Sequence, residues 1–147
     1  MYSPPDPASY NEIVWLIVRQ VPRGRVTTYG QVASMIPPPD DVEPPTYDRL
    51  APRWVGVAMN VCPDNVPWQR VINSQGKISP RPGAHRQRQL LEAEGVAFDE
   101  RDRVDFDRVG WDGPPSDWLA DHNLLSPRSL KSKKAASGDE PEQLNLF

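Results

Sequence analysis

The sequence predicts a mainly α, winged-helix-like domain with a helix-turn-helix and a small β-hairpin wing. Three observations predict it. Apolar residues recur at helical spacing in separated segments, the extended runs are only a few residues long, and one Gly-containing turn lies between Val71-Ile72 and Lys77-Ile78. At 147 residues the chain is long enough for one domain with its own core, plus tails. The domain is expected over 9–112, a C-terminal extension over 113–125 and a disordered tail over 126–147.

Ser9-Tyr10-Asn11-Glu12 has the spacing of a capping box and precedes Ile13, Val14, Leu16, Ile17, Val18 and Val21, which predicts a buried first helix. Pro22-Arg23-Gly24 ends it, and Val26-Thr27-Thr28 is a short extended link. Residues 29–36 put Val32, Ala33 and Ile36 on one helical face. Segment 37–52 holds six prolines with Asp40, Asp41, Glu43 and Asp48, so it is expected as an exposed acidic loop. It can shield the helix that follows, dock a partner, or be a tolerated surface insertion.

Residues 53–60 predict a third helix with one small side, and with the second helix it suggests a helix-turn-helix joined by an unusually long loop. Val71-Ile72, Asn73-Ser74-Gln75-Gly76 and Lys77-Ile78 suggest a hairpin beside the helices. Residues 84–94 predict a further helix stopped by Gly95. Val96, Phe98, Val104, Phe106 and Trp111 are expected to pack a last irregular or strand-like segment onto the core.

Composition narrows the chemistry. The single cysteine, Cys62, rules out an internal disulfide and a multi-cysteine zinc site, and with only His85 and His122 beside it no metal and no cofactor are expected. No apolar run nears the roughly 20 residues that span a bilayer, and the start lacks the pattern of a secretion signal, so the expected place is the cytoplasm. A net charge of −3 argues against a polyanion as partner. The charges are segregated, however. Residues 67–91 carry Arg70, Lys77, Arg81, Arg86 and Arg88 without one acid, and a local basic face can bind a polyanion on an acidic protein.

Val21-Pro22-Arg23-Gly24-Arg25-Val26-Thr27-Thr28-Tyr29-Gly30-Gln31-Val32-Ala33, then Arg53-Trp54-Val55-Gly56, then Val66-Pro67-Trp68-Gln69-Arg70-Val71 resemble, in order, the DNA-binding and active-site motifs of the methylguanine-DNA methyltransferases. Asn73-Ser74-Gln75-Gly76 and Leu90-Leu91-Glu92-Ala93-Glu94-Gly95 extend the likeness to roughly residues 9–111. In those enzymes a Pro-Cys-His-Arg core carries the nucleophile, and here it reads Pro67-Trp68-Gln69-Arg70. Removing an alkyl group from O6 of guanine requires a thiolate and a base to take its proton. Trp68 offers only an indole N–H and Gln69 cannot act as a base. The pattern is similar to that of the alkyltransferase-like proteins, although Gln69 departs from the His common in that family.

The resemblance implies lesion binding without chemistry and with no catalytic residue. A lesion at O6 of guanine is stacked inside the duplex, so reading it requires extruding the nucleotide. By resemblance Arg53 enters the stack and Tyr29 crowds the target phosphate. Met59, Pro67, Trp68, Gln69 and Val71 form the pocket, with Arg81 reaching across, where a desolvated guanidinium over a purine contributes about 1–2 kcal/mol. Asn73 and Ser74 are candidate phosphate contacts, and Arg70 and Glu94 structural supports. The partners implied are duplex DNA containing O6-alkylguanine and the nucleotide excision repair proteins, with the protein a monomer. Gln143-Leu144-Asn145-Leu146-Phe147 looks like the peptide by which bacterial repair proteins dock on the sliding clamp; Gln143, Leu144, Leu146 and Phe147 are its contacts, and a chance apolar end is the alternative.

Blander readings remain at this point. Trp68 can be a core aromatic, Arg53 a solvated helix residue and Arg81 a surface charge of the wing. The rival functions are an active alkyltransferase using Cys62, a sequence-specific helix-turn-helix regulator, and an adaptor acting through the acidic loop and tail.

Overall fold

In the computed structural model, which describes residues 3–132, the first helix α1 (Pro7–Val18) is capped by Asp6 rather than by the expected Ser9. Asp6 Oδ1 accepts from the Ser9 N–H at 3.2 Å and Oδ2 from the Ser9 hydroxyl at 2.9 Å. Pro7 opens the helix with φ already set and no N–H to satisfy, so Asp-Pro outcompetes the Ser9 box as a start. Tyr10, Val14, Ile17 and Val18 form its buried stripe.

Two short segments follow the Pro22-Arg23-Gly24 turn: β1 (Thr27–Thr28) and α2 (Tyr29–Met35). Thr28 caps α2, its Oγ1 accepting from the Gln31 N–H at 3.0 Å. The segment 37–52, expected as loop throughout, is loop only as far as Glu43, because α3 runs over Pro44–Asn60. The reason is local. Pro44 and Pro45 occupy the first two helical positions, where no intrahelical donor is needed. Pro52 lies inside the helix and removes a donor, a defect worth about 3 kcal/mol in general. It is offset by the stripe Tyr47, Ala51, Trp54, Val55, Ala58 and Met59, in which each large side chain contributes about 1.5–3 kcal/mol.

Helices α1, α2 and α3 enclose the main core around Trp54, only 1% exposed. Tyr10 and Tyr47 meet its ring edge-on, with centroids at 5.6 and 5.8 Å. Their hydroxyls share a hydrogen bond of 2.7 Å, and Tyr47 also donates to Ala33 O at 3.1 Å. From α1, the Trp15 indole donates to Ala58 O at 2.9 Å, fixing α3 against α1.

The 3₁₀ turn Trp68–Arg70 leads into β2 (Val71–Ile72). The expected hairpin is not formed: β2 pairs in parallel with β1, Thr27 opposite Val71 and Thr28 opposite Ile72. The turn after it exists, with the Asn73 N–H donating to Lys77 O at 3.0 Å and Gly76 at φ 79°, but residues 77–78 do not continue as a strand. Val104 explains why. Its N–H donates to Gly76 O at 2.9 Å, which turns the chain toward the second core of Val26, Ile72, Leu91, Val96 and Val104. Phe98 and Phe106 pack against this second core and Trp111 joins the first, as expected, but Phe106–Val109 forms a short helix capped by Asp105 where irregular or strand-like chain was expected. The mainly α class holds, with six helices and one two-stranded sheet among the described residues.

Helix α4 (Ala84–Ala93) ends at Gly95, φ 93°, as the sequence predicts, and two short helices follow, α5 (Phe106–Val109) and α6 (Ser116–Asp121). The tail expected from Ser126 is hydrogen-bonded to the domain as far as Ser132. The peptide Gln143, Leu144, Leu146 and Phe147 lies outside the described residues. Among those described, no helix is long and apolar enough to cross a membrane, and no cluster of His, Cys, Asp and Glu could hold a metal ion.

Candidate nucleic-acid interface

The helix pair α2–α3 presents two exposed arginines, Arg49 and Arg53, one turn apart on α3 and neither with a hydrogen bond or ion pair among the described residues. Arg53 lies on the face of α3 opposite its buried stripe. Val57, four residues on, is 52% exposed, an apolar side chain left in solvent beside an unpaired arginine. Tyr29 is half-buried at the start of α2, and its ring edge lies 3.9 Å from where a Cβ would stand on Gly56, an ordinary contact distance that places the ring against α3.

Met59 and Val71 are buried members of the main core, and Trp68 packs half-buried against the same cluster. All three therefore belong to one cluster, and Pro67, next to Trp68 in the chain, is half-buried. Trp68 is neither a fully enclosed core residue nor a solvated one. Beneath it, Glu94 collects donors from three places. Gln69 Nε2 donates to Oε2 at 2.8 Å, Arg70 Nε and Nη2 donate at 3.0 Å each, and the Gly24 N–H donates to Oε1 at 3.0 Å. Gly24 needs to be glycine, since its φ is 84° and a Cβ would stand 3.3 Å from Glu94 O.

Arg70 also donates to Val21 O at 2.9 Å, so the turn bearing Trp68 is tied to the end of α4 and to the segment after α1. The Glu94 side chain is 4% exposed and that of Arg70 16%. Burial pushes the Glu94 carboxyl up, but the hydrogen bonds from Arg70, the Gly24 N–H and Gln69 outweigh it and hold the group below the usual carboxylate range.

Arg81 reaches the same turn through a residue the sequence did not single out. Its Nη2 donates to Gln87 Oε1 at 3.0 Å, and the buried Gln87 amide donates to Gln69 O at 3.1 Å and Val71 O at 2.8 Å. A glutamine within an amphipathic helix carries no signal of its own. Gln31 was likewise overlooked; wholly buried, it accepts from the Thr27 hydroxyl at 2.6 Å and donates to Trp111 O at 2.8 Å.

Asn73 spends its side-chain oxygen inside its turn, accepting from the Gln75 and Lys77 N–H groups at 2.9 and 3.0 Å. Its amide nitrogen has no acceptor among the described residues, and Ser74 beside it is exposed. Cys62 is half-buried against the main core, and burial pushes its thiol up, which leaves it protonated at neutral pH. A groove of about 410 Å³ lined by Lys77, Ile78, Ala84, Arg88 and Phe98, among others, contains none of the residues around Trp68.

A helix-turn-helix whose second helix exposes an unpaired arginine, with polar donors on a neighbouring turn, has the layout of a DNA-binding domain. The model of the family described as 6-O-methylguanine DNA methyltransferase, DNA binding domain, matches residues 9–96, and the chain belongs to that family. The DNA base-flipping protein of Escherichia coli (strain K12) is 39% identical over 106 residues, 70% of this chain and 74% of its own. Alkyltransferase-like protein 1 of Schizosaccharomyces pombe is 43% identical over 88 residues, 56% of this chain and 72% of its own. A solved structure of S. pombe Atl1 in complex with damaged DNA containing O6-carboxymethylguanine matches with TM-score 0.54 at 31% identity, covering 74% of this chain and 97% of that one.

Proposed function

We propose that this protein binds O6-alkylguanine in duplex DNA, rotates the altered nucleotide out of the stack and transfers nothing from it. One observation carries the reading. Where a thiolate and its base are required, the chain has Trp68, which cannot attack, and Gln69, whose amide is engaged by Glu94. The relatives named for base flipping and the Atl1 complex with an O6-alkylated guanine support it.

In this reading Arg53 fills the gap in the duplex, because a planar guanidinium stacks and hydrogen-bonds to the orphaned base at once. Tyr29 presses on the target phosphate. The lesion lies among Met59, Pro67, Trp68, Gln69 and Val71, with Arg81, oriented by Gln87, across the purine face. Asn73 Nδ2 and Ser74 donate to phosphates, while Arg70 and Glu94 hold the turn. Cys62 takes no part, since a protonated thiol is a poor nucleophile. The lesion, held extruded and chemically intact, marks the site for nucleotide excision repair, and the peptide over 143–147 recruits the protein to the sliding clamp.

Flipping is tested with a 2-aminopurine placed beside O6-methylguanine, whose fluorescence rises when its stacking partner leaves. A rise on titrating the wild type, absent with Arg53→Ala, supports the reading. Saturated binding without any rise contradicts it.

A further inference from the structure

Residues 125–132 form a strap. Its first half, 125–128, runs along α2 from its C-terminal end to its first turn, and its second half passes on to α5 and the residues after it. The Leu125 N–H donates to Met35 O at 2.8 Å, the Arg128 N–H to Ser34 Oγ at 2.9 Å, and the Ser132 N–H to Asp107 Oδ1 at 2.8 Å. Between them the buried Gln31 amide donates to Arg128 O at 2.9 Å. A buried amide must keep its acceptors, so α2 itself dictates the path of the strap.

That path delivers the Arg128 side chain to the first turn of α2. Its Nη1 lies 3.0 Å from where a Cβ would stand on Gly30, the residue next to Tyr29. No side chain at this position takes up the space the guanidinium uses. Arg128 is exposed, and no acceptor for its guanidinium occurs among the described residues. The strap's other described cation differs: Lys131 Nζ donates to Gly110 O at 3.0 Å and pairs with Asp112 at 3.3 Å. One cation is neutralised, and the other is held out at Gly30, the residue after Tyr29, without a counter-charge.

We infer that Arg128 is a DNA contact: the strap adds its guanidinium to the helix-turn-helix surface, on a backbone phosphate neighbouring the one Tyr29 engages. This rests on the reading that Tyr29 faces the DNA. The first helix of a helix-turn-helix crosses the phosphate backbone, and an arginine fork grips phosphate oxygens in pairs. Because phosphates carry no information about the base, Arg128 raises affinity for damaged and undamaged duplex alike. On a chain of net charge −3, a cation supplied to this face from outside the helix pair compensates for acids elsewhere.

The test measures full-chain binding to an O6-methylguanine duplex and its unmodified twin across a salt series, for wild type, Arg128→Ala and Arg128→Lys. Losing one phosphate contact predicts that Arg128→Ala binds both duplexes about fivefold more weakly near 0.15 M salt, with a salt slope shallower by about 0.9. The preference for the lesion and the melting temperature stay as in wild type, since every strap anchor at this residue is backbone, and Arg128→Lys keeps the slope. Wild-type affinity and slope in Arg128→Ala, a loss confined to the damaged duplex, or a lowered melting temperature with an unchanged slope each overturns the inference. A wild type without preference for the lesion instead overturns the functional reading, and the slope on the unmodified duplex still decides Arg128.

Discussion

Gln69 Nε2 donates to Glu94 Oε2 at 2.8 Å, which ties the residue after Trp68 to the last turn of α4. The same carboxylate takes Arg70 in an ion pair of 3.0 Å, so one nearly buried group sets the position of the whole turn. Glu94→Ala strands the Arg70 guanidinium and is expected to lower stability by about 3 kcal/mol. Urea unfolding at neutral pH measures it, and a loss within experimental scatter would show that Glu94 does not organise the turn.

Stability should also depend on pH through this group. The Glu94 carboxyl is held below its ordinary value when folded, so its contribution is complete above the unfolded pKa of about 4.3 and is lost as pH falls through the lower folded value. Denaturant midpoints for wild type should therefore fall more steeply in this acid range than those for Glu94→Gln, and parallel curves contradict the assignment.

Arg53→Ala removes an exposed side chain with no hydrogen bond or ion pair among the described residues, so the fold should stay within about 0.5 kcal/mol of wild type. As an interface hot spot, Arg53 should account for about 2 kcal/mol, or about thirtyfold, of affinity for the damaged duplex. Fluorescence anisotropy reads the affinity and thermal melting the fold. Unchanged lesion binding would assign Arg53 to ordinary helix surface.

For Trp68→Ala the expectation is selective. Stacking on the extruded base is worth about 1–3 kcal/mol, so the damaged duplex should lose roughly 5- to 150-fold while the undamaged duplex binds nearly as before. Equal losses on the two duplexes would make Trp68 a packing residue of the core.

The sequence made α1, α2 and α4 legible because they depend on local signals, whereas the turn at Trp68–Arg70 and the short helices α5 and α6 carry no periodicity long enough to read. Val14, Ile17 and Val18 repeat at helical spacing, and Gly95 stops α4 where its positive φ is needed. Prolines misled in one place. At Pro44 and Pro45 they begin a helix, and whether a proline starts or breaks one depends on the stripe from Tyr47 to Met59 that follows. The parallel pairing of Thr27 with Val71 is set by tertiary packing, which the apparent hairpin could not reveal.

At the site, Arg53, Trp68, Arg70, Arg81 and Glu94 were legible, by resemblance, as an ordered set. Gln87, which holds Arg81, and Gln31, which holds Trp111 and Arg128 by their carbonyls, were not. Gln31 and Gln87 do their work as buried amides, and an isolated glutamine in a helix does not announce whether it faces solvent or core. The strap over 125–132 is held largely by backbone groups, which composition does not record.

The central claim, recognition without transfer, is tested most directly by equilibrium binding to two duplexes identical but for a single O6-methylguanine, followed by mass analysis of protein and DNA. Binding to the damaged duplex is expected to be the tighter, with neither mass changed. A protein heavier by one methyl group would make Cys62 a nucleophile and the protein an enzyme, and equal binding to the two duplexes would contradict lesion recognition itself.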